Sequence, residues 1–422
     1  MAVKVDLVRF AKRSGVGTQV VSHNLGEVPK AYLFWGGFLA ADGFQAHIRE
    51  WWGFSVGTVA AENRASYVHT TDAVATQDNR GGASALSCIK IISSVTPTIE
   101  GAAQISAEST TDFTLNWTTS TTNLPICFCL VIGGDEVTNA STVEKTWAIA
   151  AGNQSFTGVG FRPDLVIYLD GQDRTTSGDG TDYLTGIGVA TDVGGAKQWL
   201  IVNSQDDGAG GSSGRHQRTD SMAGGMNVGG SAFLKRATFV SMDTDGWTWN
   251  VATAPATAYI FWALCLKFQN PSTNVNVGMV ARATSGGGTN DVTTGFDTKG
   301  LWLHSVKSPT LDTFLTGMNI GRGGTDFTDE ECYAFDSPEA ATTDDNESIV
   351  TGKAIREMTS PSTTAAEADA SVITNGFRLT WSTADANANR IHWIAFGQAA
   401  AAAAFPPRPV IINQAMHRAA SW

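Results

Sequence analysis

Gly210-Gly211-Ser212-Ser213-Gly214 satisfies G-x-S-x-G, the spacing that lifts a nucleophilic serine onto a strained turn, and His216 and Asp220 follow close behind. The motif carries that chemistry only between a strand and a helix. Here it lies between Asp206 and Gly230, in a stretch dense in Gly and Ser. Such a loop does not hold three groups to catalytic tolerance, so a solvated loop is expected. Asp170, Asp173, Asp179 and Asp182 offer four carboxylates on one turn-rich segment, which is how an oxygen-ligand calcium loop begins. They lack the regular spacing and terminal Glu of an EF-hand, and an acidic hairpin tip is the reading kept. The adjacent acids Asp206-Asp207, Glu330-Glu331 and Asp344-Asp345 point to opposite sides of an extended chain, so neighbours do not form an acid/base dyad. Of the histidines (His23, His47, His69, His216, His304, His392 and His417), none stands in an HxH or HxxxH pair or a Cys/His cluster, and zinc has no support. His392 sits in an apolar run and reads as a structural residue. Gly321-Arg322-Gly323-Gly324 and Gly286-Gly287-Gly288 lack the Lys-Ser/Thr of a phosphate-cradling loop. The residues select no catalytic group, cofactor or metal, and a non-enzymatic protein is expected.

Composition narrows the partners. The formal charge of −12 over 422 residues disfavours attraction to nucleic acid or anionic lipid. The start of the chain, with Lys4, Asp6 and Arg9 among apolar residues, does not open into the apolar stretch of a secretory signal. The longest apolar run, Ala258 to Leu266, closes at Lys267 and reads as a buried strand, too short to span a bilayer. Cys88, Cys127, Cys129, Cys265 and Cys332 are odd in number without a CxxC pair, which favours free buried thiols over a disulfide framework.

The elements that would position any chemistry come in threes. Gly26-Glu27-Val28-Pro29, Gly160-Phe161-Arg162-Pro163 and Gly295-Phe296-Asp297-Thr298 each lead into a short apolar strand, about 130 residues apart. Phe113, Trp247 and Phe377 follow polar turns at the same interval, and Gly57, Gly188 and Asn319 form a third landmark between them. The closing runs Ile126–Ile132, Tyr259–Leu266 and Ile391–Phe396 are apolar almost throughout, as strands covered on both sides are. Period-two alternation and Gly/Asn/Asp turns point to antiparallel strands. Only Thr363–Ala370 and the alanines after Gln398 suggest a helical turn or two. The class is all-β: three tandem homologous antiparallel β-sandwich or jelly-roll-like repeats (1–136, 137–272 and 273–398) and an extended Ala/Pro-rich docking tail (399–422).

Two sets of residues stand out as contacts. In the tail, Phe405, Pro406, Pro407, Arg408, Ile411, Met416 and Trp422 mix apolar and extended character and suit assembly on another surface. In the first repeat, Trp51 and Trp52 are adjacent without a counterpart in the others. Neighbours in a strand face opposite ways, so one of them is expected to meet solvent or a surface ligand, carbohydrate or protein, with packing under a loop as the competing reading.

Gly-Phe-Arg-Pro-Asp-Leu-Val (160–166), Asp-Gly-Trp-Thr-Trp (245–249) and Trp-Ala-Leu-Cys-Leu (262–266), together with Gly-Thr-Gln-Val-Val-Ser-His-Asn-Leu-Gly (17–26) leading into Pro-Lys-Ala-Tyr-Leu-Phe-Trp (29–35), resemble repeat domains of virion structural proteins of tailed bacteriophages. The resemblance covers roughly residues 1–398, and the third repeat departs most, with Thr298 in place of proline. It implies a β-sandwich component of a tail fibre, tail tip, head decoration or spike, made in the host cytoplasm without a signal peptide and located in the virion. Its partners would be other virion proteins, further copies of itself and a host-surface glycan or protein, with no nucleic acid and no membrane insertion. It brings no catalytic residue to a matching position. The competing readings are a carbohydrate-binding receptor module and a polysaccharide-degrading hydrolase. Three related domains in one chain would also imitate a threefold ring.

Overall fold

The computed structural model describes residues 2–72, 79–93, 98–207, 213–338, 344–359 and 361–399. The described chain is all-β, with strands throughout apart from short turns of helix at Ala60–Glu62 and Pro271–Asn274. One strand order recurs three times, each time as a seven-stranded sheet facing a four-stranded one. In the first unit the large sheet runs Lys4–Ala11, Ile126–Gly133, Ala31–Gly36, Trp51–Ser55, Asn63–Thr70 and Asn79–Ser84, every pair antiparallel. The small sheet runs Gly17–Ser22, Asp112–Ser120, Ile99–Glu108 and Ile89–Ile92.

The seventh strand of each large sheet comes from another unit. Gly178–Gly180 of the second unit pairs with Asn79–Ser84 of the first. Leu315–Thr316 of the third pairs with Ser213–Arg218 of the second. Gly43–Ala46 of the first pairs with Asn346–Thr351 of the third. The exchange is cyclic and closes after three steps, so each large sheet has this edge covered, which removes a template for unwanted pairing.

The apolar closing runs owe their composition to this arrangement. In Ile126–Gly133, Cys127, Cys129 and Val131 face the first unit's own sandwich, while Phe128, Leu130 and Ile132 enter a core that all three units share. Phe261, Ala263 and Cys265 alternate with Trp262, Leu264 and Leu266 in the same way in the second unit. Ile391, Trp393 and Ala395 alternate with Ile394 and Phe396 in the third. A strand with apolar residues on both faces needs two cores, and here one is local and the other communal. All five cysteines are free and buried. Thr363–Ala370 is not helical: it belongs to the strand Thr363–Ile373, whose inward Ala366 and Ala368 pack in the third sandwich. Small residues are favoured there by close sheet packing rather than by helix propensity.

The third sequence landmark is also in a different register. Tyr168 pairs with Gly188, Phe34 with Gly53 and Leu303 with Gly323, so Gly53, Gly188 and Gly323 are the corresponding positions, not Gly57, Gly188 and Asn319. At each, a Cβ would collide with the backbone carbonyl that leads into the edge strand of the small sheet: Cys88 at Gly53, Met222 at Gly188 and Ala354 at Gly323. Glycine here sets the distance between the sheets. Gly188→Ala is expected to lower unfolding free energy by about 1–3 kcal/mol through overpacking, and a urea-denaturation midpoint equal to that of the parent would contradict this.

Candidate functional site at the junction of the three units

Polar groups from all three units meet inside the shared core. Glu50 follows the first unit's exchanged segment, Tyr183 opens the strand Tyr183–Thr191 of the second, and Arg322 lies on Met318–Thr325 of the third. Arg322 Nη1 lies 2.7 Å from Glu50 Oε1, and the Tyr183 hydroxyl donates to Glu50 Oε2 at 2.7 Å. The guanidinium stacks 4.7 Å from the Trp52 ring centroid, and its Nε donates to His304 Nδ1 at 3.4 Å. Burial raises the carboxyl of Glu50 despite Arg322 and Tyr183, and drives His304 well below the ordinary imidazole range, beside Arg322 and His392. A charge in such a place is tolerated only when paired. The cluster therefore ties the position of each unit to the other two.

Each pair of units adds its own latch. Between the first and second, Gln172 Nε2 donates to Ser66 Oγ at 2.8 Å, and the Tyr67 hydroxyl donates to Asp179 of the inserted strand. Between the second and third, Gln217 Nε2 donates to the carbonyls of Ser308 and Thr310 at 2.9 and 2.8 Å, leaving its Oε1 to accept from His392 Nε2 at 2.9 Å. His392 is thus the structural residue the sequence suggests. The contact between the third and first units, the one without a chain linker, is carboxylate-rich. Glu347 accepts from the backbone N–H of Phe38 and Arg49 at 3.1 and 2.9 Å and from the Tyr333 hydroxyl at 3.1 Å. Asp345 accepts from Thr70 Oγ1 at 3.3 Å, and Glu331 pairs with Arg9 at 2.9 Å. Burial pushes all three carboxyls up to about 7.

The surface-ligand expectation for Trp51 and Trp52 is corrected: both are fully buried. They do face opposite ways, but both faces are interior. Trp52 enters the shared core and Trp51 the first unit's sandwich. Trp51 pairs with Gly36, where a Cβ would lie 2.7 Å from the indole, and its Nε1 donates to the Gly37 carbonyl at 3.1 Å. The corresponding positions in the other units are Gly186 and Gly321, so the indole fills space that those units fill with other side chains. Phe405, Pro406, Pro407, Arg408, Ile411, Met416 and Trp422 lie outside the described residues, as do residues 208–212 of the G-x-S-x-G segment. Ser213 and Gly214 begin a strand, and His216 is buried against Phe233 and Phe314.

The acidic stretch from Asp170 to Asp182 is not a hairpin tip, since it carries the strand given to the first unit. Its carboxylates are dispersed, and the cation at their centre is an amine. Lys235 Nζ, from the small sheet of the second unit, lies 3.0 Å from Asp170 Oδ1 and also contacts Asp173. Lys235 and Asp170 are fully buried. Asp170 Oδ1 further accepts from the Gln172 backbone N–H at 2.9 Å, and Oδ2 from the Tyr168 hydroxyl at 3.2 Å. Gln172 and Asp173 both hold positive φ, 59° and 51°, and such backbone strain gathers at functional positions. Burial raises Asp173 to about 6 against the pull of Lys235. A cavity of about 260 Å³ lined by Asp173, Arg174, Asp182, Asn227 and Tyr259 adjoins the cluster. Lys235 is distant in the chain from these carboxylates and reaches them only through the pairing of the sandwich, which no local spacing signals. Among the described residues no group of three or more His, Cys, Asp or Glu is arranged to hold a metal ion. The chain matches no protein-family model, and the curated proteins provide no match to its sequence.

Proposed function

We propose that this protein is a non-enzymatic structural component of a bacteriophage particle, one chain forming the three-sided body that otherwise takes three subunits, and the tail after Gln398 docking it on its neighbours. The observation that carries the reading is the cyclic exchange of strands, closed within a single chain. A body of this kind suits a site of threefold symmetry on a larger assembly. Its entry end gathers the first residues, both joints and the end of the third unit around a cavity of about 560 Å³, lined by Ala2, Glu136, Asn270, Thr273, Asn274 and Gln398. Gln398, after which the proposed docking segment begins, lines that cavity. The carbohydrate-binding alternative rested on Trp51 and Trp52 as surface aromatics, and their burial removes that support.

The test is light scattering on the full chain and on a truncation after Gln398. A truncated monomer beside a larger full-length species supports docking through the tail. Monomers in both preparations would sink self-assembly through it, and failure of the full chain to bind purified particles that lack it would sink the virion reading.

A further inference from the structure

We propose that Lys235 and Asp170 condense to an isopeptide bond that staples the large sheet of the second unit to its small sheet. The inference is independent of the virion reading. It rests on an amine and a carboxyl held in contact with water largely excluded. Lys235 Nζ sits 3.0 Å from Asp170 Oδ1, and both side chains are buried. At Gly225 a Cβ would lie 2.7 Å from Asp170 Oδ2 and 2.8 Å from Lys235 Cε, so glycine is what lets the two groups meet. Tyr168 and Tyr259 flank them, the Tyr259 ring centroid 5.0 Å from Nζ.

In water an amine and a carboxylic acid rest as ammonium and carboxylate, and condensation stalls. Burial disfavours the ammonium, but Asp170 and Asp173 outweigh it and hold Lys235 above the ordinary amine range, so the amine must lose a proton before it attacks; fixed contact replaces a bimolecular encounter with an effectively unimolecular one. The groups an acyl transfer needs are in place. Nζ attacks Asp170 Cγ, and the negative charge that develops on Oδ1 is met by the Gln172 backbone N–H. Asp173, in contact with Nζ, relays two protons from Nζ to Oδ2, one before the attack and one after it, and Oδ2 leaves as water. The Nζ–Cγ bond forms, the Cγ–Oδ2 bond breaks, and oxidation states do not change. Asp173, raised to about 6, exchanges protons readily near neutral pH, and the adjoining cavity receives the water.

The cluster is not required by the fold. The positions corresponding to Asp170 and Lys235 are Gly36 and Gly101 in the first unit, and Ser305 and Ala366 in the third. A buried cation between two carboxylates also stands as a plain ion pair in the third unit, where Arg282 meets Glu357 and Asp385, so it is the covalent mass that separates the two states. Condensation removes one charge of each sign.

The experiment is intact-mass spectrometry of the full chain under denaturing conditions, followed by proteolysis. The expected mass is one water below that of the sequence, allowing for the initiator Met, with a branched peptide joining Lys235 to Asp170. The unreduced sequence mass would overturn the proposal, and a branch at Asp173 would overturn the assignment to Asp170. Lys235→Arg is expected to restore the full mass. Asp173→Asn is expected to restore it with unchanged circular dichroism, and water loss retained in that variant would overturn the proton-transfer role of Asp173.

Discussion

Arg322→Ala is expected to lower the unfolding free energy by about 3–5 kcal/mol, the loss typical when one partner of a buried pair is removed. The substitution leaves Glu50 wholly enclosed, with the Tyr183 hydroxyl still donating to it. It also opens a void beside Trp52, on which the guanidinium stacks. The three partners belong to three different units, so the loss should appear as weakened cooperation among all of them, with an earlier urea midpoint followed by tryptophan fluorescence. Lys4→Ala removes an exposed pair with Glu27 at 2.9 Å and is expected to change stability by no more than about 0.5 kcal/mol. If the two variants lose the same amount, the central cluster does not hold the units together. Glu50→Leu combined with Arg322→Met should recover much of the loss, leaving about 1–3 kcal/mol for the orphaned Tyr183 hydroxyl.

The buried carboxyls of the ring-closing contact are expected to withdraw their stabilising contribution as the pH rises from about 4.5 to 7. Asp345 and Glu347, on the contact that closes the ring, are raised from 3.8 and 4.5 to about 7. Between the unfolded and folded values the native state holds more protons than the unfolded one, so the slope of stability against pH is negative in that window. Burial dominates in both. Asp72 and Asp336 face Asp345 and push it further up, while Ser337 and Thr70 donate to it. Around Glu347, Arg49 pulls down, as do the N–H groups of Phe38 and Arg49 and the Tyr333 hydroxyl. Each group is worth roughly 3–4 kcal/mol across the window. Glu331 adds a contribution of the same sign, weakened by solvent. Carboxyls held low by their partners, such as Asp42 beside Arg9 and Asp220 beside Arg218, act oppositely and only in more acid solution. Urea denaturation at pH 5 and pH 8 tests this. Buried histidines held below their ordinary range, His69, His216, His304 and His392, act with the opposite sign up to about pH 6.5, so the carboxyl contribution is read as a difference: Asp345→Asn and Glu347→Gln should each gain stability relative to the parent at pH 8 compared with pH 5. A variant-minus-parent difference equal at the two pH values would refute it. The consequence is a ring whose only closing contact without a chain linker loosens as its carboxyls ionise.

Much of the architecture was legible in local pattern. Alternation, turn residues and the apolar closing runs declare strands, and free cysteines follow from their number and spacing. Local pattern misled where small residues were concerned. Thr363–Ala370 looks helical because alanine favours helices in isolation, yet it is a strand because Ala366 and Ala368 fit between closely packed sheets. The third landmark was placed on Gly57 and Asn319 by spacing alone, whereas the glycine that matters is the one facing the carbonyl that leads into the opposite sheet, a condition visible only in three dimensions.

The sequence by itself determined the all-β class, the buried closing strands and the structural character of His392, because each depends on the residues within a few positions along the chain. Tertiary structure alone decided what those strands are buried against, because a residue's second face is covered by units more than a hundred positions away. It made Trp51 and Trp52 interior, turned an acidic loop into a strand lent to a neighbour, and brought Glu50, Tyr183 and Arg322 together. It also set Lys235 against Asp170. Pairings of that separation arise from the register of sheets and the closure of the ring, and period and spacing along the chain carry no trace of them.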